Sequence, residues 1–240
     1  SIVLLKNEDN CLPLSETLHK DPVLVGPLCD AWYQDWYGGE PHHKSTLKEG
    51  LEKLLNTKIR CVDGWDRITL RAGDQYVAVQ EDGTLCLSDK ADLFGKEDWG
   101  DGRINLRCER TGKYVTTISK GRRQSEEEDG ALVAVKDAAF DWFVTAIFHI
   151  IPAENGAVRL TNRFDQPIQI SKDKKLYSAL TGEGSSFLME TVVDGFEEVQ
   201  RLMQCAKTVI LALGCHPMVN AKEEIDRTTL ALPPHQERLA

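Results

Sequence analysis

Apolar residues along this chain change their period twice. Pro22-Val-Leu-Val-Gly-Pro27 is a continuous apolar run closed by Gly-Pro, which reads as a buried strand leading into a loop. Leu47, Leu51, Leu54 and Leu55 then recur at helical spacing behind Ser45 or Thr46, either of which can cap a helix. Lys58-Ile-Arg-Cys-Val62 reads as the next strand. Strand, helix, strand predicts a parallel βαβ unit. From Trp65 to Asp194 the texture becomes short alternating runs punctuated by Gly and Asp. The helical period returns at Gly195–Cys205, with Phe196, Val199, Leu202 and Met203 on one face, and Thr208–Leu213 resumes the strand. The predicted fold class is α/β plus all-β. A partial α/β sandwich with a parallel sheet, residues 1–65 and 195–240, is interrupted by a β domain over residues 66–194. Such insertions succeed at exposed loops whose ends lie close together.

The β segment repeats itself. Arg67-Ile-Thr-Leu-Arg-Ala72, Arg103-Ile-Asn-Leu-Arg-Cys108 and Ala157-Val-Arg-Leu-Thr-Asn162 are alike. Each precedes a second strand (Gln75–Val79, Lys113–Thr117, Pro167–Ile170) and a third (Gly83–Leu87, Gly130–Ala134, Lys175–Ala179). Each unit then reaches an aromatic: Trp99, Trp142-Phe143 or Phe187. Three four-stranded units predict a β-trefoil, with Trp99, Trp142 and Phe187 at equivalent core places. A charged loop, Gly121–Gly130, extends the middle unit. The repeats resemble the fascin-type trefoil across the whole segment.

Composition narrows the partners. Net charge is −9, and the 29 Lys and Arg are dispersed, which disfavours nucleic acid and anionic membrane. No stretch approaches the roughly 20 apolar residues of a membrane helix. Seven cysteines, an odd number without Cys-x-x-Cys, argue against a disulfide framework or a zinc site and for a cytoplasmic home. No Gly-x-Gly-x-x-Gly follows the first strand, so no dinucleotide or other cofactor is expected. His42-His43 has no partner at metal spacing. The short apolar start, Ser1–Lys6, and the helix-like end, Pro234–Ala240, read as a fragment of a longer protein.

The candidate chemistry lies in Glu223-Glu224, shortly after the last apolar strand. A loop at the carboxyl end of a strand is where open α/β sheets place their ligands. Taken alone, the pair reads as a solvated loop. The flanking halves, residues 1–65 and 195–240, resemble glycoside hydrolase family 3, the β-glucosidase and β-xylosidase group. The resemblance rests on Ser1–Asn7 with Leu12-Pro-Leu14, Val23–Leu28, Gln34-Asp-Trp-Tyr-Gly-Gly39, Leu211–Asn220, Glu223-Glu-Ile-Asp-Arg227 and Leu230–Leu239.

That resemblance implies a retaining mechanism on a β-linked glycoside, with two carboxyls roughly 5–5.5 Å apart. It places the general acid/base on Glu223, with Glu224 as fallback. It also implies that the nucleophile sits in an N-terminal domain outside this sequence. The Ser-Asp-Trp signature of that nucleophile is absent here, so this segment alone is expected to be inactive. Trp36, Tyr37 and His216 are the candidate substrate-binding residues; Trp32, Trp36 and Tyr37 read equally as loop-core or sugar-stacking aromatics, and His216 either lines the sugar site beside Glu223 or is an exposed loop histidine. Two other readings remain open: a trefoil that binds carbohydrate on its own, and a trefoil that mediates self-association or covers the mouth of the site.

Overall fold

The computed structural model describes residues 2–14, 21–118, 130–223, 226–227 and 229–240. The charged loop 121–129 and Glu224 lie outside the described residues.

Three short strands form a parallel sheet. β1 (Pro22–Val25) lies between β15 (Thr208–Leu211) and β2 (Arg60–Val62), with Leu24 level with both Ile210 and Cys61. β1 is buried throughout, which explains its unbroken apolar run. Successive residues serve opposite faces. Leu24, Cys61 and Ile210 pack with Leu51 and Leu55 of α1 (Leu47–Leu55). Val25, Val62 and Val209 pack with Val199 of α2 (Gly195–Gln204) and Leu239 of α3 (Pro234–Leu239).

The helix starts follow from capping chemistry. Thr46 and Glu49 close a reciprocal capping box on α1, and the Asp194 carboxylate accepts from the amides of Phe196 and Glu197. The expected apolar faces are narrower than their spacing suggests. Leu47, Leu54 and Met203 are exposed, because these short helices touch the sheet through little more than one turn.

Among the described residues, twelve strands separate β2 from α2. β3 (Asp66–Ala72), β6 (Phe94–Asp98), β7 (Arg103–Cys108), β10 (Phe148–Pro152), β11 (Val158–Asn162) and β14 (Ser186–Val193) pair antiparallel in that order, and β14 returns to β3. The sheet is thus a closed six-stranded barrel without a free edge. Three hairpins cap it: β4 (Gln75–Val79) with β5 (Leu85–Ser88), β8 (Tyr114–Thr117) with β9 (Leu132–Lys136), and β12 (Ile168–Ile170) with β13 (Leu176–Ser178). Bridges Thr84 to Val133, Cys86 to Lys175 and Ala131 to Tyr177 tie the hairpins in a triangle. This is the strand plan of a β-trefoil.

The chain enters and leaves the barrel at one point. The Gly195 amide donates to the Asp66 carboxylate at 3.2 Å, and a Cβ at Gly195 would overlap the Gly64 carbonyl. Only glycine lets the two connections cross there.

Two expectations fail here. The equivalent aromatics are Phe94, Phe148 and Phe187, each fully buried in the fourth strand of its unit, rather than Trp99, Trp142 and Phe187. Trp99 is buried one residue past its strand, in a different cluster, whereas Trp142 is 61% exposed. Against the expectation of no disulfide framework, Cys29 and Cys61 form one disulfide. Parallel pairing of β1 and β2 brings them together across 32 residues. The cytoplasmic expectation rested on free thiols, and this bond removes that ground. Among the described residues no helix is long and apolar enough to cross a membrane.

Candidate active site

Two loops leave the carboxyl ends of adjacent parallel strands. The first follows β1 through Gly26, whose φ of +109° and contact with the Ala212 carbonyl leave no room for a side chain. The second follows β15 and carries Glu223. Backbone bonds join them at the root: Ala212 donates to Val25 at 2.8 Å and Leu28 donates to Ala212 at 3.0 Å.

The second loop is fixed on two sides. The buried Gln236 side chain of α3 accepts from the Gly214 amide and donates to the Gly214 carbonyl, both at 2.8 Å. The Asn220 carboxamide accepts from the His216 amide at 2.8 Å and donates to the Trp99 carbonyl at 2.7 Å. The Val219, Asn220 and Ala221 amides all donate to the His216 carbonyl. Trp99 belongs to the barrel, so the barrel is the floor on which this loop rests. Trp65, Trp99, Tyr114, Met218 and Val219 form the apolar cluster between them.

His216 does not line the cavity that holds Glu223. Its side chain is buried, its ring lies 4.2 Å from Tyr33 and 5.1 Å from Trp99, and its Nδ1 accepts from the Met218 amide. Burial pushes its pKa down to about 3, so the ring is neutral near pH 7. The expectation had His216 line the site beside Glu223; the structure buries its ring instead. A loop histidine two residues before Met218 folds inward because its neutral ring can accept that amide and pack on aromatics.

The other expected residues do converge. The Tyr37 hydroxyl donates to Glu223 Oε2 at 2.5 Å, and this hydrogen bond raises the phenol above its ordinary pKa. Trp36, Tyr37, Pro217, Met218 and Glu223 line a cavity of about 360 Å³. Its remaining aromatic wall comes from the barrel. Trp36 stacks on Phe140 at 5.8 Å and meets Trp142 edge-on at 4.8 Å. Sequence reasoning missed Trp142, Tyr33, Asn220 and Gln236. The signal for Trp142 was present, since aligning Phe148 with Phe94 and Phe187 leaves Trp142 surplus to the repeat.

Trp32 lies elsewhere, under the Lys44 ammonium at 4.5 Å. It lines a second cavity of about 470 Å³ between sheet and barrel, where Glu97 is buried. The Tyr114 hydroxyl donates to that carboxyl at 2.9 Å, and burial raises its pKa to about 7 against the pull of Arg107.

A carboxyl on a loop at the strand ends, bonded to a tyrosine and facing an aromatic cavity, is a constellation suited to proton transfer. Residues 2–240 match the glycosyl hydrolase family 3 C-terminal domain. The chain belongs to that family. Membership ties this family 3 domain to the glycoside hydrolases. No curated protein matches the chain.

Several solved structures share similarity over about half of the domain. One is a salivary protein from Culex quiquefasciatus of the Cysteine and Tryptophan-Rich family, at 12% identity, covering 53% of this chain and 94% of that one with a TM-score of 0.41. Another is the designed threefold-symmetric protein ThreeFoil, at 14% identity, 54% and 100% coverage and a TM-score of 0.42. A third is a GlcNAcα1-4Gal-releasing endo-β-galactosidase from Clostridium perfringens, at 17% identity, 53% and 33% coverage and a TM-score of 0.43.

Proposed function

We propose that this domain supplies the general acid/base, Glu223, of a retaining β-glycosidase acting on β-glucosides or β-xylosides. The observation that carries the reading is the Tyr37–Glu223 hydrogen bond at the mouth of the Trp36-lined cavity. Tyr37 comes from the loop after β1 and Glu223 from the loop after β15, so two strand ends aim at one point.

In the first step a carboxylate of the N-terminal domain attacks the anomeric carbon. The Glu223 proton moves to the glycosidic oxygen as the carbon–oxygen bond breaks, and the electron pair of that bond stays on the oxygen. The leaving group departs as an alcohol. In the second step Glu223 takes a proton from water, and the hydroxide released to the anomeric carbon frees the enzyme carboxylate. Tyr37 orients the Glu223 carboxyl for both transfers, and Trp36 offers an apolar face to the substrate. The nucleophile lies outside residues 1–240, in the N-terminal domain of the longer protein. The exposed apolar run Ile2–Leu5 is in keeping with a further domain packing there. We read the barrel, residues 66–194, as an insertion between β2 and α2. The adjacency of Gly64 and Gly195 supports that reading.

The test is Glu223→Gln in the full-length protein. Turnover of a β-linked disaccharide should fall by a factor on the order of 10² to 10⁴, the usual span for a lost general acid. Added azide should restore turnover of an activated aryl glycoside, because azide needs no base to attack the glycosyl-enzyme. Unchanged disaccharide turnover would sink the assignment.

A further inference from the structure

Trp142 is far from the barrel's repeated core and is 61% exposed, which is uncommon for the residue with the largest apolar face. Its place is specific. It lines the same cavity as Glu223, and its ring meets Trp36 edge-on at 81°. Phe140 stacks on Trp36 at an interplanar angle of 27°. Two barrel aromatics thus contact one ring from the loop after β1.

The turn presenting Trp142 is rigid. Asp141 Oδ1 accepts from the Phe143 amide at 2.9 Å, Asp141 Oδ2 accepts from the Thr145 hydroxyl at 3.0 Å, and the carboxylate pairs with Lys136. The following residue but one, Val144, is fully buried at a φ of +48°. A β-branched side chain is costly in that left-handed region, and such strain persists where the surroundings dictate it, commonly at ligand sites. The turn is held in an unfavourable shape with its tryptophan facing solvent.

The chemistry orients the cavity. Glu223 gives its proton to the leaving oxygen, so the leaving group passes beside it. The glycone must face the nucleophile, which the N-terminal domain holds. The wall that this chain builds next to Glu223 therefore lies on the leaving-group side. A glucopyranose or xylopyranose ring carries its ring hydroxyls equatorially and exposes flat C–H faces that suit an indole.

We propose that Trp142, supplied by the barrel, forms with Trp36 the subsite for a pyranose leaving group, so that the barrel sets which β-linked sugar the enzyme releases. The inference rests on the reading of Glu223 as the acid/base.

The test compares two substrates of the full-length enzyme that share a glycone. One is a β-linked disaccharide, and the other is the corresponding β-glycosyl fluoride, which has no leaving ring. In Trp142→Ala, kcat/KM for the disaccharide should fall about tenfold, mainly through KM, the scale of a lost aromatic face. The fluoride should change less than about twofold, because it never touches that wall. Trp142→Phe, which keeps a ring, should retain most of the disaccharide activity. Parallel losses on both substrates would overturn the proposal, since they would place Trp142 at the glycone or in general packing. No loss on either would overturn it as well. Glu223→Gln separates the two readings. If it abolishes disaccharide turnover while Trp142→Ala leaves it unchanged, the subsite fails and the acid/base stands. If Glu223→Gln is silent, the acid/base itself fails.

Discussion

Inside the barrel the three units bury the same kinds of residue at the same places. Leu70, Leu106 and Leu160 recur in the first strand, Val77, Val115 and Ile168 in the second, Leu85, Leu132 and Leu176 in the third, and Phe94, Phe148 and Phe187 in the fourth. At the seam, where the Glu223 loop lies on the barrel, the packed set does not follow the threefold repeat, although Tyr114 has a counterpart in Tyr76. Trp65, Trp99, Tyr114, His216 and Met218 come from different strands and loops, and polar groups run among them. A closed barrel gains its stability from repetition, whereas a site needs one asymmetric arrangement. The threefold core cluster is apolar, whereas the seam buries His216, Asn220 and Glu97 among its aromatics.

The largest effect expected is at the symmetric core. Phe148→Ala should destabilise the protein by about 3–5 kcal/mol, the usual cost of deleting a fully buried phenyl ring. Phe94→Ala and Phe187→Ala should cost similar amounts, because threefold packing makes the sites equivalent. Denaturant unfolding of the three variants checks both statements. A spread much wider than the mean would break the equivalence.

These same residues show how far the sequence could be read. Alternation with period two, closed by Gly-Asp turns, placed the strands of all three units, because that pattern is local. The fourth-strand aromatic was misassigned because Trp99 and Trp142 are the more conspicuous residues. Trp99 sits one position beyond β6, and Trp142 sits in a turn whose length no other unit shares. Of the candidate site, the resemblance named Trp36, Tyr37 and Glu223, which the structure brings to one cavity. The inward fold of His216, its tie through Asn220 to Trp99 and the Cys29–Cys61 bond were not legible. Each depends on a contact between segments far apart in sequence, 121 residues for Asn220 and Trp99.

The seam should respond differently from the core. Asn220→Ala strands the buried His216 amide and the Trp99 carbonyl. The stability cost should be about 1–3 kcal/mol, the penalty for leaving buried polar groups unpaired. The activity loss of the full-length enzyme should exceed what that stability loss explains, because Asn220 ties the Glu223 loop to its floor. Turnover measured well below the unfolding temperature separates the two. If activity stays within about twofold of the parent, the barrel is a passive neighbour of the loop.

The smallest effect tests what the seam costs. Glu97 is buried beside Tyr114, with Arg107 at 3.8 Å and Asp63, Glu109 and Tyr33 around that arginine and cavity. Burial raises its pKa to about 7 from an ordinary 4.5. Below pH 4.5 the carboxyl is protonated in folded and unfolded chains alike, and burial costs nothing in charge. As pH rises towards 7 the unfolded chain ionises first, so stability from this group is lost across that window and stays lost above it. Glu97→Gln keeps an oxygen for the Tyr114 hydroxyl and removes the ionisation. It should stabilise the protein at pH 8 by on the order of 1 kcal/mol, less than the full shift because Arg107 loses a partner. The gain should vanish below pH 4.5. His216 acts in the opposite sense: its depressed pKa takes stability away as pH falls from about 6.5 towards 3. That acid limb is common to both proteins, so the difference between their pH–stability curves isolates Glu97. Should the glutamine variant be the less stable one at pH 8, the Arg107 pairing outweighs burial, and the seam carries its charge at a profit in stability.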